Sequence, residues 1–252
     1  MTFEDSGGSG HVEISLVIPY FNPGKHFLDH VSALVFLLRH SGLSFELIAV
    51  NDGSTDGSFE ALANFREPEI VMLNHQTNQG KGESLRNGFR HSNGAWIGFI
   101  DADGDLPAYQ LQKYLYVVNS HPDNAPDMIL ASKMVEGSHV QASLIRKMSS
   151  YFYHFLVKML FRVKVKDTQT GLKIFKREVV EKVLENTVEK GFVFDLEFIV
   201  LAMREGYSNI TELPAVISKR HSSTISPKSV ISIFFDTISL KVRLKNNSRA
   251  KH

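Results

Sequence analysis

Short runs of aliphatic and β-branched residues alternate, over the first half of the chain, with stretches in which apolar side chains recur at every third or fourth position. Residues 13–19 (EISLVIP) read as a strand ending at a proline. Residues 26–41 then place Phe27, Val31, Leu34, Val35 and Leu38 on one helical face, and Gly42 closes that helix. A second strand at 45–50 runs into the polar turn 51–58, where Thr55 and Asp56 are good caps for a helix over 58–65. A short strand at 69–73, the loop 74–82 and a helix to about His91 make the next unit, and 95–100 is a fourth strand. A helix at 108–120, a loop holding Pro122 and Pro126, and a fifth strand at 128–132 follow. Strand and helix alternate in this way four times in about 110 residues, which predicts an α/β fold with a parallel sheet and helices on both faces. Ligands of such sheets bind outside the carboxyl ends of the strands, so 19–23, 51–56 and 101–105 are expected along one rim.

The second half has a different texture. Residues 144–163 are aromatic and basic together, with Tyr151, Phe152, Tyr153, Phe155 and Phe161 among Arg146, Lys147, Lys158 and Arg162. Such a segment suits a membrane interface or, equally, a helix packed on the sheet with snorkelling cations. The polar turn 167–173 (DTQTGLK) enters a short strand ending at Phe175, and helices are expected at 178–185 and 192–205. The second of these carries Asp195 and Glu197 near its start, where they complement the helix dipole or orient a substrate. A last strand at 210–219 is broken by Pro214 and so belongs at a sheet edge. Beyond it, 220–224 (RHSST) is cationic and hydroxyl-rich, fit to hold a phosphate. The end of the chain mixes apolar residues with five Lys or Arg between Lys241 and Lys251 and no acid, which suits reversible contact with an anionic membrane or a solvated end.

Composition narrows this picture. A chain of 252 residues makes one large domain, or one domain with a small appendage. The formal net charge of +1 argues against nucleic acid as a partner. With no cysteine, disulfides, thiolate metal sites and cysteine nucleophiles are excluded. Residues 1–10 are polar and glycine-rich, a flexible leader and neither a signal peptide nor a span. No stretch reaches about 18 uninterrupted apolar residues, so no transmembrane helix is expected.

The densest chemistry lies at 98–107 (GFIDADGDLP). Asp101 and Asp103, two apart at a strand end, point to one side, and Asp105 follows the turn at Gly104. Carboxylates crowded in this way repel one another unless a cation sits among them, and hard oxygen donors favour Mg²⁺ or Mn²⁺. The simpler reading is an acidic loop capping the helix that starts near Ala108. Gly80, Lys81 and Gly82 at a helix start suit an anion, although the Walker spacing is absent.

Taken in order, VIPYFN, VNDGSTDGS, NQGKGESLRNG, DADGDLP, DTQTGLKIF, FDLEFIVLA and the Arg220 segment resemble the family 2 glycosyltransferases of the GT-A fold, over about residues 13–228. Within that family the chain is most similar to the polyprenyl-phosphate (dolichyl-phosphate) hexosyltransferases, and DTQTGLK looks like the corresponding block of dolichyl-phosphate glucose synthases. The resemblance implies a mostly parallel central sheet. It also implies that Pro19, Phe21, Val50 and Asp52 surround the nucleoside, with Asp52 accepting a base N–H. Lys81, Asp101, Ala102, Asp103 and Lys133 would contact the nucleotide sugar, and Asp101, Asp103 and Asp105 would hold Mg²⁺ or Mn²⁺. Arg146 and Arg220 would face the acceptor phosphate, and Asp103, Asp195 and Arg220 would form the catalytic set, Asp195 and Glu197 as positioning groups. The chain departs from the family's usual pattern at Phe21, where tyrosine is frequent, at Pro23, where glutamate is frequent, and at Asn51, the first of a usual pair of aspartates.

The implied reaction is inverting transfer of a hexose, glucose from UDP-glucose, to a polyprenyl phosphate, by a peripheral protein on the cytoplasmic face of a membrane. A GDP-mannose donor, a non-lipid acceptor, or a nucleotide-sugar-binding module without turnover are the rival expectations. The expected organisation is a leader at 1–10, a transferase domain at 11–228 and an amphipathic basic tail at 229–252.

Overall fold

A computed structural model describes the backbone of residues 12–120, 125–140, 144–217 and 227–249, and the side chains of these except 140, 144–150, 227–232 and 247–249. In chain order the elements are β1 (Ile14–Tyr20), α1 (Phe27–Arg39), β2 (Phe45–Asn51), α2 (Ser58–Phe65), β3 (Ile70–Asn74), α3 (Lys81–Arg90) and β4 (Trp96–Ile100). A 3-10 turn at Ala108–Gln110 continues into α4 (Leu111–Ser120), followed by β5 (Met128–Ser132), β6 (His139–Val140) and α5 (Leu144–Phe161). Then come β7 (Leu172–Lys176), α6 (Arg177–Val183), α7 (Phe194–Arg204), β8 (Ile210–Pro214), β9 (Val216–Ile217) and α8 (Pro227–Arg249).

The main sheet has seven strands in the order β3-β2-β1-β4-β7-β5-β8, and β6 pairs with β9 in a small parallel ladder. All pairs in the main sheet are parallel except those of β7, which runs antiparallel between β4 and β5. β8, with Pro214, lies at the edge, as its proline requires. Every residue of β1 is buried, because helices cover both faces. Ile14, Leu16, Ile18 and Tyr20 face the layer of α1 and α4, while Val17 faces α3 and α7 across the sheet. Gly88 lets α3 approach that second face, since a Cβ there would strike Val17.

Within the segment expected as an amphipathic basic tail, 229–252, the described residues belong to α8, one side of which packs on the domain. Thr237, Leu240 and Leu244 of α8 are buried, and Arg204 donates to the Leu244 carbonyl at 3.1 Å. Phe235, Ile238 and Val242 lie on its outer face, exposed.

Candidate active site at the ends of β1, β2 and β4

Because β2, β1 and β4 are neighbours, the loops leaving their carboxyl ends form the rim that the alternation predicts. Pro19 and Val50 are buried within the strands, whereas Phe21 stands half exposed on the rim. Asp52 is buried, and its carboxylate is largely used by the chain itself. Oδ1 accepts from His75 Nδ1 at 2.9 Å and from the Gln79 N–H at 2.8 Å, and Oδ2 accepts from the Gly80 N–H at 2.9 Å. Three of about four acceptor positions are thus filled. Asn51 contributes in the same way, donating to Asn74 Oδ1 at 2.8 Å and accepting from the Ser54 N–H at 3.0 Å.

This alters the expectation for the 79–82 loop. Two of the N–H groups expected to meet an anion donate to Asp52, and that of Gly82 donates to the Lys190 carbonyl at 2.7 Å. Lys81 turns inward. Its ammonium lies 2.8 Å from Asp101 Oδ1 and 3.3 Å from Asp195 Oδ2. Burial would lower its pKa, but the two carboxylates overcome this and push it up.

None of the three aspartates of the acidic loop caps the 3-10 turn, which begins after Pro107 without a side-chain cap. Asp101 is held by its backbone, whose N–H donates to the Gly171 carbonyl at 2.8 Å. Asp103 Oδ1 accepts the Asp105 N–H at 3.0 Å. The Asp103 carboxyl is pushed up to about 6 by loss of water on its inner side and by the charges of Asp101 and Asp105, although the residue as a whole stays exposed. Ala102 and Asp105 are half buried beside it. Among the described residues no three acidic or histidine side chains converge on one point. The single grip expected of Asp101, Asp103 and Asp105 is therefore not preassembled, because the Asp101 carboxylate is engaged by Lys81. The donor set nevertheless fits a hard divalent ion: all its atoms are carboxylate oxygens, and the repulsion that raises Asp103 is what such an ion relieves.

Across from this loop, the 167–173 block folds around Asp167. It accepts from Thr170 Oγ1 at 2.6 Å, from the Gln169 and Thr170 N–H groups, and from the Lys133 N–H at 2.9 Å. The Lys133 ammonium lies 3.9 Å away. Burial works to raise the Asp167 pKa, but Lys133 and these donors outweigh it and hold the carboxyl below its ordinary value of 3.8. The stability contributed by Asp167 is therefore present above its ordinary pKa and lost as pH falls through the lower folded value. We expect Asp167→Asn to cost about 3 kcal/mol near neutral pH. The deficit shrinks below about pH 4, as denaturant melts at two pH values will show.

Sequence reasoning did not single out Lys173. It is fully buried in β7, donating to the Thr170 carbonyl at 2.7 Å and to Asp195 Oδ2 at 3.1 Å. Burial lowers its pKa, with Asp195 opposing and Lys81 adding to the effect. Neither Asp195 nor Glu197 caps α7. Asp195 joins the two lysines, and Glu197 staples the preceding loop, accepting from the Val188 and Glu189 N–H groups at 3.0 and 2.8 Å and from Arg243 of α8 at 2.6 Å. The side chain of Arg146 and the whole of Arg220 lie outside the described residues.

Gly171 joins the two halves of the site, for a Cβ there would fall on the Asp101 carboxylate. We expect Gly171→Ala to swing Asp101 aside and reduce any Mn²⁺ binding about tenfold while the protein stays folded. Metal titration with circular dichroism on the same samples checks both points.

The profile of Glycosyl transferase family 2 matches residues 15–184. The chain belongs to this family. Curated relatives extend the match: the dolichyl-phosphate beta-glucosyltransferase of Saccharomyces cerevisiae is 29% identical over 221 residues, 80% of this chain and 65% of that protein. One of the same name from Trichomonas vaginalis is 27% identical over 241 residues, 92% of this chain and 71% of its own length. The chain thus spans about two thirds of the yeast relative. Among solved structures, glucosyl-3-phosphoglycerate synthase of Mycobacterium tuberculosis, in complex with Mn²⁺, UDP and phosphoglyceric acid, superposes with a TM-score of 0.66 at 16% identity. That match covers 91% of this chain and 78% of that one. Mannosyl-3-phosphoglycerate synthase of Rubrobacter xylanophilus gives a TM-score of 0.69 at 14% identity, over 94% and 76% of the two chains. The family 2 chain described here therefore has the GT-A fold, with its mostly parallel sheet.

Proposed function

We propose that this chain transfers glucose from UDP-glucose to the phosphate of a polyprenyl phosphate with inversion at the anomeric carbon. The observation that carries the reading is the acidic loop at the end of β4, set against the partly covered Lys81 of α3 and the buried Lys173 of β7. It occurs in a chain whose named dolichyl-phosphate beta-glucosyltransferase relatives match 80% and 92% of its length.

An acceptor phosphate oxygen attacks the anomeric carbon as its bond to the UDP oxygen breaks. The acceptor is ionised at neutral pH, so no side chain has to remove a proton. Asp101 and Asp103, with Asp105, would hold Mg²⁺ or Mn²⁺, which would stabilise the charge developing on the departing diphosphate. Asp52 and its hydrogen-bonded loop, beside Phe21, shape the nucleoside pocket. By the family resemblance Lys133, Arg146 and Arg220 are assigned to the phosphates, and Asp195 orients Lys81 and Lys173.

We assign residues 11–228 to transfer and 229–252, with α5, to peripheral contact on the cytoplasmic face of a membrane. In support, Tyr151, Phe152, Phe155 and Met159 of α5 are exposed, as are Phe235 and Val242 of α8, with Lys158 and Arg162 close by in sequence. No helix among the described residues is long and apolar enough to cross a membrane. Radiolabelled UDP-glucose and GDP-mannose, each offered with Mg²⁺ or Mn²⁺ and with lipid or soluble acceptors, test the reading. Label moving from UDP-glucose into an organic-phase, phosphate-linked product is the expected result. Label from GDP-mannose, label only in water, or no turnover overturns the donor, the acceptor or the activity respectively.

A further inference from the structure

Two lysines from different elements converge on one oxygen of Asp195 while its other oxygen has no partner. Lys81 approaches Oδ2 from α3 at 3.3 Å and Lys173 from β7 at 3.1 Å. Both ammonium groups lie over the Phe99 ring, at 5.0 and 5.1 Å from its centre. Asp195 is 2% exposed, and its Oδ1 lies out of reach of water with no donor. A buried carboxylate oxygen without a donor carries the full penalty of lost hydration, so the arrangement is incomplete as it stands.

The two lysines differ in their freedom. Lys173 is wholly enclosed and tied to the Thr170 carbonyl as well as to Asp195. Lys81 is only partly covered and divides itself between carboxylates, the shorter contact being the 2.8 Å one to Asp101. A lysine ammonium on four single bonds re-aims readily.

We infer that Lys81 is a displaceable resident cation, which neutralises Asp101 until a divalent ion takes that carboxylate and then moves wholly onto Asp195. Asp195 Oδ1 is the acceptor kept for it. The inference rests on the proposed reading that Asp101 binds a divalent ion. It makes Asp195 a positioning residue, whose charge lets Lys81 leave Asp101 without losing an anionic partner. It also differs from a diphosphate contact by Lys81, because the ion alone, without any phosphate, suffices to move the ammonium.

The test uses the unaltered chain carrying nitrogen-15 in its lysine ammonium groups, with Lys81 assigned through Lys81→Arg. Titration with Mg²⁺ alone is expected to shift the Lys81 resonance saturably and to leave that of Lys173 in place. A Lys81 signal unmoved at Mg²⁺ saturation overturns the inference. Mn²⁺ binding followed by electron paramagnetic resonance supplies the second arm. Lys81→Met is expected to bind about tenfold more tightly and Asp195→Asn about tenfold more weakly than the parent. In the Lys81→Met background, the Asp195→Asn change has no further effect beyond about twofold. A double variant returning to the parent's affinity means that the two charges act only through space, which also overturns the inference. If the parent binds no Mn²⁺ at millimolar concentration, the metal reading and this inference fall together. Binding with an immobile Lys81 removes the inference alone.

Discussion

Asp103→Asn is expected to lower the proposed glucose transfer from UDP-glucose to polyprenyl phosphate by about 10³-fold and to leave the melting temperature within about 2 °C of the parent's. The structure separates these two effects. Asp103 is exposed, and its carboxylate accepts the Asp105 N–H at 3.0 Å. The asparagine amide oxygen retains that bond, so the turn at Gly104 keeps its shape. What disappears is a full negative charge at the end of β4, and with it repulsion from Asp101 and Asp105 that costs stability in the parent. A variant equal to the parent in rate removes Asp103 from the reaction. A variant that melts well below the parent means that the residue is structural. Initial rates at saturating Mg²⁺ or Mn²⁺, beside a thermal melt, distinguish the outcomes.

The architecture was legible to the extent that it repeats. The strands at β1, β2, β4 and β5 and the helices α1 to α4 fall within a few residues of the limits their apolar spacing predicts, and the neighbouring order of β2, β1 and β4 makes the shared rim real. The position of β7 was not legible. Its apolar period is that of any buried strand and carries no sign that it runs antiparallel between β4 and β5. Two-residue β6 is too short to leave a pattern.

The site was legible as a set of charges and not as a circuit. Lys81 at a helix start suggests an anion, but local spacing cannot show that Asp52 and the Lys190 carbonyl have taken the backbone donors, or that Asp101 and Asp195 have taken the ammonium. Those partners are set by contacts distant in sequence. Lys173 did leave a signal. In a strand buried on both faces it lies two residues before Phe175, on the same side, so a lysine there points into the core. A charge so placed requires a buried partner, and Asp195 near the start of α7 is that partner.

Lys173→Met is expected to destabilise the protein by about 3 to 5 kcal/mol, a fall of roughly 10 °C in melting temperature for a domain of this size. Methionine is close to the lysine stem in length and fits over the Phe99 ring that the ammonium now faces, so packing changes little. What it leaves is the buried Asp195 carboxylate with Lys81 alone, at 3.3 Å, and the Thr170 carbonyl with the Leu172 N–H but no longer the ammonium. Asp195→Asn also destabilises, but with a different dependence on pH. There the enclosed Lys173 ammonium loses its anion, and its pKa, already lowered by burial, falls further. The unfolded chain, with Lys173 near its ordinary 10.5, then binds more protons than the folded one, so stability rises with pH. Relative to the parent, the Asp195→Asn deficit shrinks as pH rises from neutral toward the parent's own Lys173 pKa, which lies below the ordinary 10.5, while that of Lys173→Met, which has no ammonium to discharge, stays constant over that interval. Urea melts of both variants across this range are the measurement. Parallel, pH-independent deficits would mean that Lys173 is held charged by something other than Asp195. The absence of any deficit in Lys173→Met would mean that Lys81 satisfies Asp195 unaided, and the second lysine would lose its structural reason to be buried.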